Sequence, residues 1–214
     1  MGVSWIEDSL FAHELKVIAG VDEAGRGACA GPLVAAAVAL DHTASQRLLA
    51  LLGDRKRGSL TLDSKAMSEK DREYLFSQIE DIAVAIEVVI IEADEIDRFG
   101  LQAMNEGAMR RAISQLAAKV DYALTDGYPI EGLAMPSLAV WKGDAVSLSV
   151  GAASIIAKVR RDRIMVELDG RFPGYGFASH KGYSSKAHMD AIKELGVLPI
   201  HRRSYSNVAK LIAR

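Results

Sequence analysis

Asp22 and Glu23 stand side by side at the end of an apolar run, and the next residues, Ala24-Gly-Arg-Gly27, hold an arginine between two glycines. A glycine-rich loop after a strand is ordinarily a phosphate cradle, in which backbone N–H groups at a helix N-terminus face a pyrophosphate. Two carboxylates aimed at a bare phosphate would repel it. The spacing fails as well: Gly25, Gly27 and Gly31 read G-x-G-x-x-x-G, one residue longer than the dinucleotide fingerprint, and Pro32 leads into a second apolar run instead of a helix. A cation must therefore stand between acids and phosphate. Two more aspartates end short segments, Asp126 after Tyr122-Ala-Leu-Thr125 and before Gly127, and Asp144 after Trp141-Lys-Gly143. Each alone is also an ordinary turn residue or helix cap. Together the four resemble a carboxylate cluster at the strand ends of one sheet, an oxygen-only donor set suited to hard divalent ions. No His/Cys set with zinc spacing competes with it. Carboxylates about 4 Å apart repel by roughly 4 kcal/mol at an effective dielectric near 20. Two Mg²⁺ or Mn²⁺ ions would balance four of them, and such a pair can activate water and stabilise the leaving oxygen of a phosphodiester.

Short runs rich in Val and Ile at 16–21, 33–40, 84–91 and 122–125 have the character of strands. Helical patterns cover 68–81, 103–119, 152–168 and 185–195, the first opening with the capping-box spacing Ser68-Glu-Lys-Asp71. The order predicts an α/β fold with a mixed sheet. At 214 residues, half of them hydrophobic, the chain can bury a substantial core. One domain over 1–214 is expected, with about 170–214 forming a basic helical extension.

Net charge is only -2, but residues 1–100 hold 10 Lys/Arg against 18 Asp/Glu, whereas 101–214 hold 16 against 10. From Lys181 onward there are seven basic and two acidic residues, together with His188 and His201. This asymmetry suits a polyanion-binding face and equally suits a solvated helical surface. The single cysteine, Cys29, leaves no internal disulfide and reads as a small buried thiol in a reducing compartment. The N-terminus lacks a basic start and apolar core, and Ile6 breaks the myristoylation pattern that Gly2 would open. Runs such as 33–40 are too short for a bilayer, so a cytoplasmic protein without membrane contact is expected.

The blocks Ile18-Ala-Gly-Val-Asp-Glu-Ala-Gly-Arg-Gly27, Gly31-Pro-Leu33, Asp63-Ser-Lys65, Asp126-Gly127, Lys142-Gly-Asp144, Ala152-Ala-Ser-Ile-Ile-Ala-Lys-Val159, His180-Lys-Gly-Tyr183 and His201-Arg-Arg-Ser204, in this order, resemble bacterial ribonuclease HII, the type 2 ribonuclease H. The resemblance implies a ribonuclease H-like fold, a mixed central sheet flanked by helices with a C-terminal helical extension. It also implies Mg²⁺- or Mn²⁺-dependent endonucleolytic cleavage of RNA in RNA/DNA hybrids and 5′ of single ribonucleotides in duplex DNA, leaving 3′-OH and 5′-phosphate ends, by a monomer. Carried over by motif, Asp22, Glu23, Asp126 and Asp144 are the catalytic and metal-binding acids. Asp162 is an alternative fourth acid, although its charged helix suits a salt bridge. Gly25, Arg26 and Gly27 match the loop whose main chain senses the 2′-OH, the group that separates RNA from DNA, and a side chain at either glycine is expected to obstruct that approach. Tyr183 matches the tyrosine that stacks on the following sugar, while Lys65, Lys142, Lys181, Arg202 and Arg203 are expected at phosphates. Small departures from the pattern are Gly151 for alanine, expected to loosen a helix start by up to about 1 kcal/mol, Ala66 for lysine, and Cys29 at an often aliphatic site. A non-catalytic hybrid- or nucleotide-binding module on the same scaffold is the alternative reading; the glycine spacing weakens a dinucleotide-dependent oxidoreductase.

Overall fold

The structure, a computed structural model, describes residues 5–53 and 62–212. Gly2 of the N-terminal pattern and the last two residues of the basic tail lie outside them. Five strands, β1 Val17–Ala24, β2 Leu33–Asp41, β3 Ala85–Ile91, β4 Tyr122–Asp126 and β5 Ser137–Val140, form one sheet in the order β3-β2-β1-β4-β5. The β1–β2 and β2–β3 pairs are antiparallel, and β1–β4 and β4–β5 are parallel, so the sheet is mixed as expected. β1 runs three residues further than its apolar pattern, because Asp22, Glu23 and Ala24 pair with Ala36, Ala35 and Val34 of β2. The two acids therefore belong to the strand itself.

Helices cover both faces: α1 Ile6–Ala12, α2 His42–Leu52, α3 Glu69–Ile82, α4 Ala93–Phe99, α5 Leu101–Ser114, α6 Gly143–Val146, α7 Leu148–Arg171, α8 Phe177–His180, α9 Lys186–Leu195 and α10 Ser206–Ile212. β2 is buried along nearly its whole length, and its alternate residues feed two cores. Ala36, Val38 and Leu40 face Leu48, Leu75, Ile79 and Ile155, whereas Ala35, Ala37 and Ala39 face Ile96, Met109 and Ile113. The alanines let the helices sit close to the sheet. Where α7 crosses β1 the approach is closer still, since a Cβ on Gly20 would lie 2.1 Å from the Ser149 carbonyl carbon.

Ser68 caps α3 by accepting from the Asp71 N–H at 3.2 Å, as its sequence spacing predicts. α7 begins four residues before its expected start. Ser147 caps it through the Val150 N–H (3.2 Å), and the buried Glu7 carboxylate of α1 accepts from the Leu148 and Ser149 N–H groups (3.1 and 2.9 Å) and both Ser147 and Ser149 hydroxyls (2.6 and 2.7 Å). An anion at a helix N-terminus meets unpaired N–H groups and the positive end of the dipole. Gly151 has a packing reason in this helix. It lies buried inside it, where a Cβ would come within 2.5 Å of Leu62 Cβ, so its missing side chain seats Leu62.

The basic tail docks on the C-terminal half of α7 through a smaller core of Met165, Leu168, Tyr175, Phe177 and Ile192. Its backbone is stitched to the loop after the acids: Cys29 N–H donates to Gly182 O (2.9 Å), Gly31 N–H to Ile200 O (2.9 Å) and Arg202 N–H to Cys29 O (2.8 Å). Behind this seam Cys29 is buried and free, beside His188. No described helix is long and apolar enough to cross a membrane.

Candidate active site

Sheet register brings the first two acids together. Val21 of β1 pairs with Thr125 of β4 in parallel, so Asp22 and Asp126, one residue further on each strand, lie side by side at the same edge. Asp126 is oriented by Gly143, whose N–H donates to its Oδ1 at 2.8 Å, and this fixes the start of α6 with Asp144 in its first turn. Asp22 Oδ1 accepts from the Glu23 N–H at 2.7 Å. All four acids line one cleft of about 540 Å³, with Arg26, Asp63, Lys65, Tyr128, Trp141 and Lys142.

Asp22 is 8 % exposed, and its carboxyl is held well above the usual carboxylate range by burial first and then by the Glu23 and Asp126 charges. Burial and then Asp126 likewise raise Glu23, against the lowering pull of Arg26, Asn105 and Lys65. Asp144 is raised by burial, then by Asp126 and Asp63. Glu23 Oε2 is buried without any hydrogen-bond partner. A buried carboxylate oxygen left unpaired is costly. These acids therefore fit a hard cation. Among the described residues no group of three or more acidic, histidine or cysteine side chains is arranged, as the side chains stand, to hold a metal ion. Mg²⁺-like ions are typically held by one or two carboxylates and complete their shells with water and substrate phosphate.

A second cleft of about 610 Å³ adjoins the first and shares Glu23, Arg26 and Lys65 with it. Ala24, Gly25, Gly27, Ser64, Arg72, Ser154, Lys158 and Tyr183 complete its walls. Gly25 has φ +88°, and a Cβ there would lie 1.9 Å from Arg161 Nε. A side chain at Gly25 would therefore run into a buried arginine of α7 and not into the cleft, which Gly25 itself lines. Arg161 ties the neighbourhood together by donating to Pro32 O (2.9 Å), Ala30 O (3.2 Å) and Lys181 O (2.9 Å), with its guanidinium carbon 5.6 Å from the Tyr183 ring centroid. A Cβ on Gly27, in contrast, would meet the Tyr183 ring at 3.8 Å, inside the cleft.

Not every expected residue arrives here. Arg202 is fully buried, with its donors directed at Gly31 O (3.0 and 3.2 Å), Arg26 O (3.1 Å) and the Tyr205 hydroxyl (2.9 Å), so it positions the Arg26–Gly31 loop and cannot meet a phosphate. Lys181 lies outside both clefts and turns its ammonium onto the Ala178 carbonyl. Arg203 is exposed on another surface, beside Asp94, Asp97 and Arg98. Asp162 pairs with Lys158 at 2.7 Å, an i,i+4 ion pair on α7, and is not among the residues lining the acid cleft. Arg26 reaches Tyr128 Oη (3.3 Å) and Gln102 Oε1 (2.9 Å). Tyr128, Trp141, Asp63, Arg72 and Lys158 were not among the expected site residues, although Asp63, Trp141 and Lys158 lie within the motifs quoted from the sequence. Their nearness to chosen residues was the available signal: Tyr128 is two residues after Asp126, Asp63 two before Lys65, and Trp141 next to Lys142.

Comparison with known proteins agrees with this geometry. The family described as Ribonuclease HII matches residues 19–208. The chain is similar to ribonuclease HII of Cutibacterium acnes, 49 % identical over 204 residues that span 95 % of each protein. The crystal structure of ribonuclease H2 from Pyrococcus horikoshii OT3 superposes with a TM-score of 0.78 at 30 % identity, covering 92 % of this chain and 98 % of that one. Bst-RNase HIII in complex with Mn²⁺, at 20 % identity and a TM-score of 0.70 over 95 % of this chain and 72 % of its own, shares the fold. With its mixed sheet, its acids at the strand edge and this degree of likeness, the chain belongs to the ribonuclease HII family and is a type 2 ribonuclease H, with activity on RNA/DNA hybrids.

Proposed function

We propose that the protein is a divalent-metal-dependent endonuclease that cuts on the 5′ side of ribonucleotides, in hybrids and singly embedded in duplex DNA, leaving 3′-OH and 5′-phosphate ends. Asp22, Glu23, Asp126 and Asp144 would hold two Mg²⁺ or Mn²⁺ ions, which when bound supply a nucleophile at neutral pH and neutralise charge on the leaving oxygen. The observation that carries this reading is the unpartnered Glu23 Oε2 beside two aspartates that the sheet register sets next to each other. The Mn²⁺ complex of Bst-RNase HIII, on the same fold, supports the choice of ions.

This chain's own residues orient the substrate. Exposed Lys65 and Lys142 border the acids and offer mobile positive charge to the strand's phosphates. The main chain at Arg26 and Gly27 faces the ribose, and the open side of Gly27 leaves space for a 2′-OH against Tyr183, which packs on the next sugar. Arg161 and Arg202 keep that loop in place from behind. The test is a duplex carrying one ribonucleotide, incubated with Mg²⁺, Mn²⁺ or chelator beside Asp126→Asn. Metal-dependent nicking 5′ of the ribonucleotide, lost in the variant, is expected. Equal nicking of an all-DNA duplex would refute the sugar-sensing part.

A further inference from the structure

Trp141 is the most exposed large apolar side chain among the described residues, at 78 %, yet it lines the acid cleft beside Asp126, Lys142 and Asp144. A bare indole is costly to leave in water, which makes one mounted at a reaction centre informative. It does not hang on a loose segment. Val140, immediately before it, pairs with Asp126 and accepts the Gly127 N–H at 2.9 Å. Gly143, two residues after, is bonded to Asp126 Oδ1, and Lys142 between them holds a left-handed backbone at φ 54° that redirects the chain into α6. The ring is therefore carried by the same backbone that orients Asp126.

The strand order gives its place along the substrate. At this edge of the sheet β1 carries Asp22 and Glu23 and runs into the Gly25–Gly27 loop, β4 carries Asp126, and β5 ends at Val140, just before Trp141. The cleft that holds the glycine loop and Tyr183 opens on the β1 side. Trp141 stands on the opposite side, two strand spacings or about 10 Å from β1, where its indole, which is no ligand for a hard cation, can meet a part of the strand away from the Gly25–Gly27 loop. Exposed Lys142 next to it favours a polyanion over an apolar protein partner.

We propose that Trp141 is a substrate-contacting residue that packs its indole on the nucleotide upstream of the cut, the one released with a 3′-OH, so that aromatic side chains bracket the scissile phosphate, Tyr183 downstream and Trp141 upstream. This rests on the ribonuclease reading and polarity given above. The chain has two tryptophans, Trp5 and Trp141, so Trp5→Phe leaves Trp141 as the sole indole emitter. Rapid mixing of that variant with Mg²⁺ and a single-ribonucleotide duplex is expected to change indole emission before product forms. Trp141→Ala is expected to raise KM about tenfold, in line with one lost aromatic contact, with kcat within about twofold and an unaltered melting temperature, and Trp141→Phe to recover most of the loss. Unchanged emission, or KM values equal to wild type in Trp141→Ala, would overturn the inference while leaving nicking itself intact. A change in sedimentation without any change in KM would also overturn it, by assigning the ring to a second copy. Failure of the wild-type protein to nick at all would instead refute the underlying reading.

Discussion

Replacing Asp22 with asparagine should stabilise the metal-free protein while abolishing its chemistry. Asparagine keeps the shape and the oxygen that accepts the Glu23 N–H, and removes one charge from a buried position pressed by Glu23 and Asp126. Carboxylates one strand spacing, about 5 Å, apart repel by about 3 kcal/mol at an effective dielectric near 20. Lys65 and Arg26 offset part of the local negative charge, so a net gain of about 2 kcal/mol is expected, or about 4–8 °C for a domain of this size. The sign of the pH dependence follows from the raised carboxyl. Its stabilising contribution is complete below the unfolded-state value and lost as pH rises through the raised folded-state value, so the advantage of the variant grows with rising pH and fades toward pH about 4. Thermal melts in chelator and in Mn²⁺ make the assay. In chelator the variant should melt higher; in Mn²⁺ the order should reverse, because only the wild type gains ligand stabilisation. A variant that melts at or below wild type in chelator across neutral and alkaline pH would refute the argument that these acids are held together against their own repulsion.

Glu7→Ala leaves the Leu148 and Ser149 N–H groups of α7 without their buried acceptor, and is expected to cost about 3 kcal/mol in urea unfolding, with Glu7→Gln losing less. Gly25→Ala puts a methyl group into Arg161 at φ +88° and should cost at least about 2 kcal/mol; Gly27→Ala should melt like wild type but lower the ratio of ribonucleotide to deoxyribonucleotide nicking, read on matched duplexes. The buried His188–His201 pair, Nε2 to Nε2 at 3.1 Å with Cys29, His180 and Tyr175 around it, is held neutral, burial pushing His201 down to about 4. A depressed histidine lets the unfolded chain bind the extra proton, so stability falls as pH drops below about 6.5. The His201 share of that fall is at most about 2 kcal/mol by pH about 5, measurable as the difference between wild type and His201→Gln.

The strands that carry the chemistry were legible because each is a short apolar run with an acid at its end, and central strands are apolar on both faces. β5 was not: Ser137 and Leu138 are exposed at the sheet edge, and four residues give no alternation to read. The start of α7 was hidden because its decisive partner, Glu7, lies 140 residues away from Ser147. The helix expected over 103–119 stops at Ser114. The four acids could be grouped from the sequence because each closes a short segment beside glycine or another acid, and one cleft does collect them. The cations could not be sorted, because a basic residue looks the same whether it faces solvent or, as with Arg202, spends its donors on the carbonyls of Gly31 and Arg26 more than 170 residues away. What stands behind Gly25 was hidden for the same reason, since Arg161 arrives there only through tertiary packing.

The central claim is that Asp22, Glu23, Asp126 and Asp144 form one divalent-ion site. Anomalous diffraction from crystals soaked in Mn²⁺ tests it most directly. The account predicts density bounded by oxygens of these four side chains, with Glu23 Oε2 among the ligands, and its disappearance in Asp126→Asn. Mn²⁺ bound elsewhere on the protein while this cleft stays empty at saturating metal and with hybrid bound would contradict it.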